Sequence, residues 1–141
     1  MSTAAACPLC EGDGGEVLWR GERLRVILAL EADHPAFLRV VCNPHVREMT
    51  DLPEAQRAEL MAAVWAAETA LRHTLRPDKI NLASFGNVVP HLHWHVTARW
   101  GDDPHFPNPV WGARLRDSPR PLPGTARHAL REQLVRALGP G

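Results

Sequence analysis

Lysine is almost absent from this sequence. Lys79 is the only one, so arginine carries nearly all of the positive charge. The 16 basic residues equal the 16 acidic ones, and the formal net charge is zero. A protein whose main partner is a nucleic-acid backbone needs a basic footprint. Strong nucleic-acid binding is therefore not expected, although a local arginine patch remains open. Any run of about 18 apolar residues is also missing, which argues against a membrane-spanning helix. The first residues, MSTAAACPLC, lack a basic stretch leading into an apolar core, so no signal peptide is expected. Cysteine is scarce. Cys7, Cys10 and Cys42 do not make a disulfide framework, and a reducing cytoplasm is the expected compartment. No internal repeat is present. A length of 141 residues suffices for one domain with a sizeable core.

The residues that are there read as short strands around one long helix. Segments 16–20 (EVLWR) and 23–30 predict two strands around Gly21-Glu22, a hairpin signal. EADHPA is a loop with a proline, and FLRVVC, 37–42, predicts a third strand that Asn43-Pro44-His45 ends. Thr50 then opens the longest helix. Asp51 and Glu54 lie near its start, Pro53 suits a first turn, and Leu60, Val64, Leu71 and Leu75 make an apolar stripe. Arg76-Pro77-Asp78 stops it. A fourth strand follows over 79–85. Residues 102–112, with Pro104, Pro107 and Pro109, predict a long loop, and 117–124 are again proline-rich. Residues 125–138 predict an amphipathic helix carrying Leu130, Leu134 and Leu138. The expected class is α+β: a mainly antiparallel sheet with one long helix packed on it and a C-terminal helix.

HLHWHVTARW, 91–100, carries the chemistry. His91, His93 and His95 occupy every second position, and Leu92, Trp94 and Val96 fill the gaps. On a strand this alternation puts imidazoles on one face and an apolar row on the other. Trp, Val and Thr favour a strand. Such a row has three chemical uses. It could ligate zinc, handle phosphate with one imidazole as nucleophile and another as acid, or switch with pH. The remaining reading is a set of satisfied core or surface histidines.

The form His-x-His-x-His resembles the signature of the histidine triad (HIT) superfamily of nucleotide hydrolases and transferases. CPLC near the start, FLRVVCNPHV, the long helix and INLASFGNVVPHLHWHVTARW follow in the order of bacterial HIT proteins, such as diadenosine polyphosphate hydrolases and nucleoside phosphoramidases. The likeness spans roughly residues 7 to 112. It implies a HIT domain over 1–116, followed by a proline-rich linker and C-terminal helix over 117–141. It also implies a mechanism. His93 would attack the α-phosphorus of a nucleoside phosphate derivative, giving a covalent nucleotidyl-histidine. His95, about 7 Å along the strand, would stabilise charge as the bond breaks. Asn81 and Asn87 occupy positions where relatives hold phosphate with polar side chains, though both also suit turns and loops. Glu31 and Asp33 are candidates for the acidic residue that holds the ribose. One departure stands out. Many relatives have a supporting histidine just before the third strand, where this chain has Phe37. His34 could substitute only if its loop bends back.

Cys7 and Cys10 have zinc-ligand spacing, but one such pair is weak evidence by itself. Cys42, alone in a strand, reads as a small buried apolar residue. Several bacterial HIT relatives bind a structural zinc at positions matching Cys7, Cys10, His45 and His91. That resemblance gives His91 to structure, His93 to attack and His95 to assistance. Free thiols and a surface histidine are the alternative. His73 and His128 read as solvated, His105 as a loop residue. Trp111 lies where relatives bring a C-terminal segment near the active site, and Arg99 faces phosphate, a subunit partner or the surface. A homodimer with a nucleotide substrate is the expected partnership. The competing functions are a nucleotide-binding HIT module with little catalysis and a zinc hydrolase using all three histidines as ligands. Carboxylates that usually orient such ligands are absent from HLHWHVT.

Overall fold

The computed structural model describes residues 6–141. Its order is α1 (Pro8–Glu11), β1 (Glu16–Arg20), β2 (Leu24–Leu28), β3 (Phe37–Cys42), α2 (Glu54–Leu75), β4 (Lys79–Ala83), β5 (His93–Arg99) and α3 (Ala126–Leu138). The five strands form one antiparallel sheet in the order β1-β2-β3-β5-β4. The α+β architecture expected from the sequence is the one observed.

Side-chain alternation divides the sheet into two faces. One buries Leu24, Val26, Leu28, Leu38, Val40, Cys42, Val96 and Ala98 against Leu60, Val64 and Leu71 of α2. Closing this core releases apolar surface from water, the main driving force for the fold. Trp94 packs at its margin, so Leu92, Trp94 and Val96 do turn inward. α3 adds Leu130 and Leu134 to the same core. Arg127 and Arg131 pair with Glu16, and the Trp19 indole donates to the Gly139 carbonyl at 2.8 Å. The other face carries the histidines.

Several boundaries differ from expectation. β2 ends at Leu28, and Leu30 stands 83% exposed in the following loop. α2 begins at Glu54, because Met49–Asp51 forms a separate 3-10 turn. The Asp51 carboxylate accepts the Arg47 and Glu48 N–H groups there, and Pro53, with no N–H of its own, takes the cap position. Arg76 ends α2 in the left-handed region at φ 50°. β4 ends at Ala83, and α3 starts at Ala126. The short helix α1 was not expected. No helix of the described residues is long and apolar enough to cross a membrane.

Candidate functional site

β5 is flanked on both sides, by β3 and β4. This fixes its register: His95 lies opposite Arg39 and Ala83, and His93 opposite Val41. His93 and His95 are both buried, at 8% and 6% exposure, with ring centroids 4.9 Å apart. The His93 Nδ1 lies 2.5 Å from the His91 carbonyl oxygen. A carbonyl only accepts, so Nδ1 carries the proton and Nε2 keeps a free lone pair. Burial holds the His93 pKa below its usual value, against the His91 hydrogen bond, so the ring is neutral near pH 7. Burial, with His93 and Arg39 adding to it, pushes the His95 pKa down to about 4.

An aromatic wall surrounds His95. Phe37 meets it edge-on at 5.4 Å and Trp111 at 5.0 Å, while Phe85 lies 6.3 Å away. Phe85 and Trp111 are themselves in contact at 4.9 Å and more than half exposed. The His95 Nδ1 is buried with no hydrogen-bond partner among the described residues. Phe37, at the position of the expected supporting histidine, offers it none.

His91 precedes β5 and turns away from the other two imidazoles. Its Nε2 donates to the Cys42 carbonyl at 2.6 Å, which leaves the Nδ1 lone pair free. That Nδ1 lies 3.3 Å from Cys7 Sγ, 3.5 Å from Cys10 Sγ and 3.2 Å from His45 Nδ1. Cys10 Sγ and His45 Nδ1 are 3.3 Å apart. The four ligand-type atoms lie within 4.8 Å of one another. α1 produces this convergence, because one helical turn from Cys7 to Cys10 sets both sulfurs on one side. Residues at the N-terminus, after β3 and before β5 therefore meet in a cluster that could hold a metal.

The other expected site residues are more scattered. Asn81 shares the histidine face, but its Oδ1 accepts from Arg99 at 2.8 Å. Asn87 is exposed, on the rim of an open groove with Arg47, Phe85 and Pro90. Glu31 is exposed and pairs with Arg39 at 3.7 Å. Asp33 is bound by Arg114 at 3.0 Å. His34 is buried and directed at His105, 2.8 Å away, rather than toward the triad. His73 and His128 are exposed, as expected.

Sequence reasoning missed three features. Arg99 is not at the surface. It is 1% exposed and clamped by Asp103, with Nε–Oδ2 at 2.7 Å and Nη2–Oδ1 at 3.1 Å. Burial alone would raise the Asp103 carboxyl, but Arg99 and the backbone N–H groups of His105, Phe106 and Trp100 hold it well below the usual carboxylate range. An aspartate four residues after an arginine at a strand end was the available signal. Second, His105 is buried. Third, the Ser84 hydroxyl donates to the His93 carbonyl at 2.7 Å, fixing the backbone of that residue.

An antiparallel five-stranded sheet, a helix pair on one face and a histidine pair on the other define the class: a HIT-fold protein. The chain belongs to the histidine triad family, whose HIT domain model matches residues 14–101. It is 32% identical over 126 residues to a Mycobacterium tuberculosis protein named AP-4-A phosphorylase. That alignment covers 82% of this chain but 65% of the relative, so the chain spans about two thirds of that protein's length. A histidine triad protein from Bradyrhizobium japonicum superposes with a TM-score of 0.71 at 31% identity, covering 89% of this chain and 92% of that one. A zinc-bound histidine triad family protein from Mycobacterium smegmatis gives 0.66 at 22% identity, covering 95% and 96%, a likeness of fold.

Proposed function

We propose that the protein is a nucleotide hydrolase or transferase acting at the α-phosphate of a dinucleoside polyphosphate or nucleoside phosphoramidate. The observation that carries this reading is the His93 Nδ1–H bond to the His91 carbonyl, which aims a neutral Nε2 lone pair away from the backbone. In the first step Nε2 bonds to the α-phosphorus, and the P–O or P–N bond to the leaving group breaks with its electron pair. In the second, a water oxygen or another acceptor attacks the phosphorus. The N–P bond breaks with its electron pair returning to Nε2, the acceptor's proton passes to solvent, and the nucleotide departs. His95, neutral at pH 7, offers a ring N–H to the oxygen or nitrogen that leaves. The relative named AP-4-A phosphorylase supports this substrate class. Asn81, Asn87, Glu31 and Asp33 remain the candidates for holding phosphate and ribose.

In the same reading Cys7, Cys10, His45 and His91 hold a structural zinc. Tetrahedral zinc, with sulfur at about 2.3 Å and nitrogen at about 2.0–2.1 Å, separates its ligand atoms by roughly 3.3–3.8 Å. Four of the six spacings in the cluster, at 3.2–3.5 Å, lie close to that requirement, and all of them are within 4.8 Å. The His91 Nε2–H bond to Cys42 is the orienting contact that metal-bound histidines usually make. Four protein ligands leave no open position, so the metal would pin the N-terminal segment rather than activate water. With both its nitrogens engaged, His91 is unavailable as a third ligand beside His93 and His95, which speaks against a three-histidine zinc hydrolase. A homodimer in the cytoplasm belongs to the same reading, and the sheet edge at β4 and exposed Trp65 on α2 leave surface for it. The partnerless His95 Nδ1 beside Phe37 favours a second reading, nucleotide binding with slow turnover.

The test is native mass spectrometry after brief incubation with adenylated substrates. An added AMP mass in the wild type, absent in His93→Ala, is the expected result, with one zinc per chain. No adduct and no turnover, with nucleotide still bound, would select the second reading. Metal lost on mutating His93 and His95 but kept on mutating Cys7 would overturn the mechanism.

A further inference from the structure

The histidine face of the sheet carries four arginines: Arg20 on β1, which pairs with Asp13, Arg25 on β2, Arg39 on β3 and Arg99 on β5. The protein itself saturates two of them. Arg25 donates to the carbonyls of Leu9, Gly12 and Asp13 and to Asn43 Oδ1. Arg99 donates to both Asp103 oxygens, to Asn81 Oδ1 and to the Asn108 carbonyl. Arg39 is different. Its Nε is buried without a partner among the described residues. Its charge partner, Glu31, is half exposed and 3.7 Å away, beyond hydrogen-bond range. The guanidinium lies 5.5 Å from the Phe37 ring centroid, and the side chain keeps 25% of its surface open.

A guanidinium with unused donors in a partly buried site costs free energy unless something satisfies it. Its flat fork matches phosphate oxygens. Register sets its place: Arg39 is paired with His95 rather than with His93. It therefore stands about 7 Å along the sheet from the nucleophile's row. On the reading above, that is where the leaving group sits.

We infer that Arg39 is a substrate-contacting residue, whose guanidinium binds phosphate oxygens beyond the phosphate that His93 attacks. It gives the site a preference for nucleotides with more than one phosphate. Glu31 is only a loose charge partner of the guanidinium in the free protein, at 3.7 Å, and gives way to the incoming phosphate. The inference rests on the nucleotide function proposed above.

Titration calorimetry at fixed ionic strength tests it, with AMP, ADP and ATP as probes. Turnover is blocked by working in His93→Ala, with Arg39, Arg39→Gln or Arg39→Lys. With Arg39, affinity rises from AMP to ATP. Arg39→Gln flattens the series, losing about tenfold for ATP and little for AMP. Arg39→Lys, which keeps the charge, retains part of the rise. Parallel series with and without the arginine overturn the Arg39 assignment and leave the nucleotide reading standing. No binding of any of the three by any variant overturns the nucleotide reading and this inference with it.

Discussion

Asp103→Ala should be among the most damaging single substitutions outside the histidines. The carboxylate is 3% exposed and accepts five hydrogen bonds: two from Arg99, and one each from the N–H groups of Trp100, His105 and Phe106. Truncating it leaves the Arg99 guanidinium, 1% exposed, without its counter-charge. Removing one partner of a buried pair costs about 3–5 kcal/mol. Total stabilities are about 5–15 kcal/mol. For 141 residues, each kcal/mol moves the thermal midpoint by roughly 3–5 °C, so a fall of about 10–25 °C is expected. The same clamp orders the loop that brings Trp111 to His95, because Arg99 also holds the Asn108 carbonyl at 2.8 Å. Turnover should therefore drop even where the variant is still folded. The depressed pKa sets the pH behaviour. Asp103 contributes stability above the unfolded value, about 4, and loses it only as pH falls toward the lower folded value. The deficit should then be the same at pH 6 and pH 8. Circular dichroism melts and urea titrations at both values read it. A loss under about 1 kcal/mol at both would refute the claim that truncation leaves Arg99 as a buried, uncompensated charge.

Other outcomes follow from the same geometry. The His95 pKa is lowered from 6.5 to about 4 by burial first, so the unfolded chain binds more protons between those values. Stability should fall as pH drops from 6.5 to 4, and His95→Phe should flatten that slope in urea titrations. Unchanged slopes would mean that His95 is hydrated. Cys10→Ser should lose one zinc per chain by native mass spectrometry and lower the thermal midpoint, whereas Cys42→Ser should keep the metal; retention of zinc by Cys10→Ser would remove Cys10 from the ligand set. Phe37→His puts an imidazole beside the orphan His95 Nδ1. It should raise kcat several-fold with little change in KM, measured on the best substrate; a fall in kcat would mean that the aromatic wall matters more than the missing partner.

The sequence carried the strands best where apolar runs were bounded by turn residues. β1 and β3 fall on the expected residues, and the apolar row of β5 lies inward. Helix α2 was legible from its stripe, but its start was not. Pro53 and the Asp51 carboxylate together favour a separate turn, and composition alone does not distinguish that from a first helical turn. The zinc-type cluster was reached through resemblance, because its members lie up to 84 residues apart. Spacing within the chain speaks only to Cys7 and Cys10. The pair of His34 with His105 joins two loops 71 residues apart, and neither loop has a period that would announce it. Period-two logic also put His91 in one row with His93 and His95. β5 begins only at His93, and the residue before a strand is free to turn its ring elsewhere.

That freedom is what joins the two halves of the site. His91 takes part in three interactions at once. Its Nδ1 faces the two sulfurs and His45, its Nε2–H holds Cys42 at the end of β3, and its carbonyl receives the His93 Nδ1–H. The His93 tautomer thus depends on a backbone oxygen whose residue is itself held through its ring. A metal at the cluster would restrain that ring, and through it the carbonyl, although it touches no reacting atom. The alternation His91, His93, His95 is better understood as one anchor followed by two buried imidazoles in contact with each other. The anchor has to come first, because its carbonyl lies two residues back, within reach of the His93 ring.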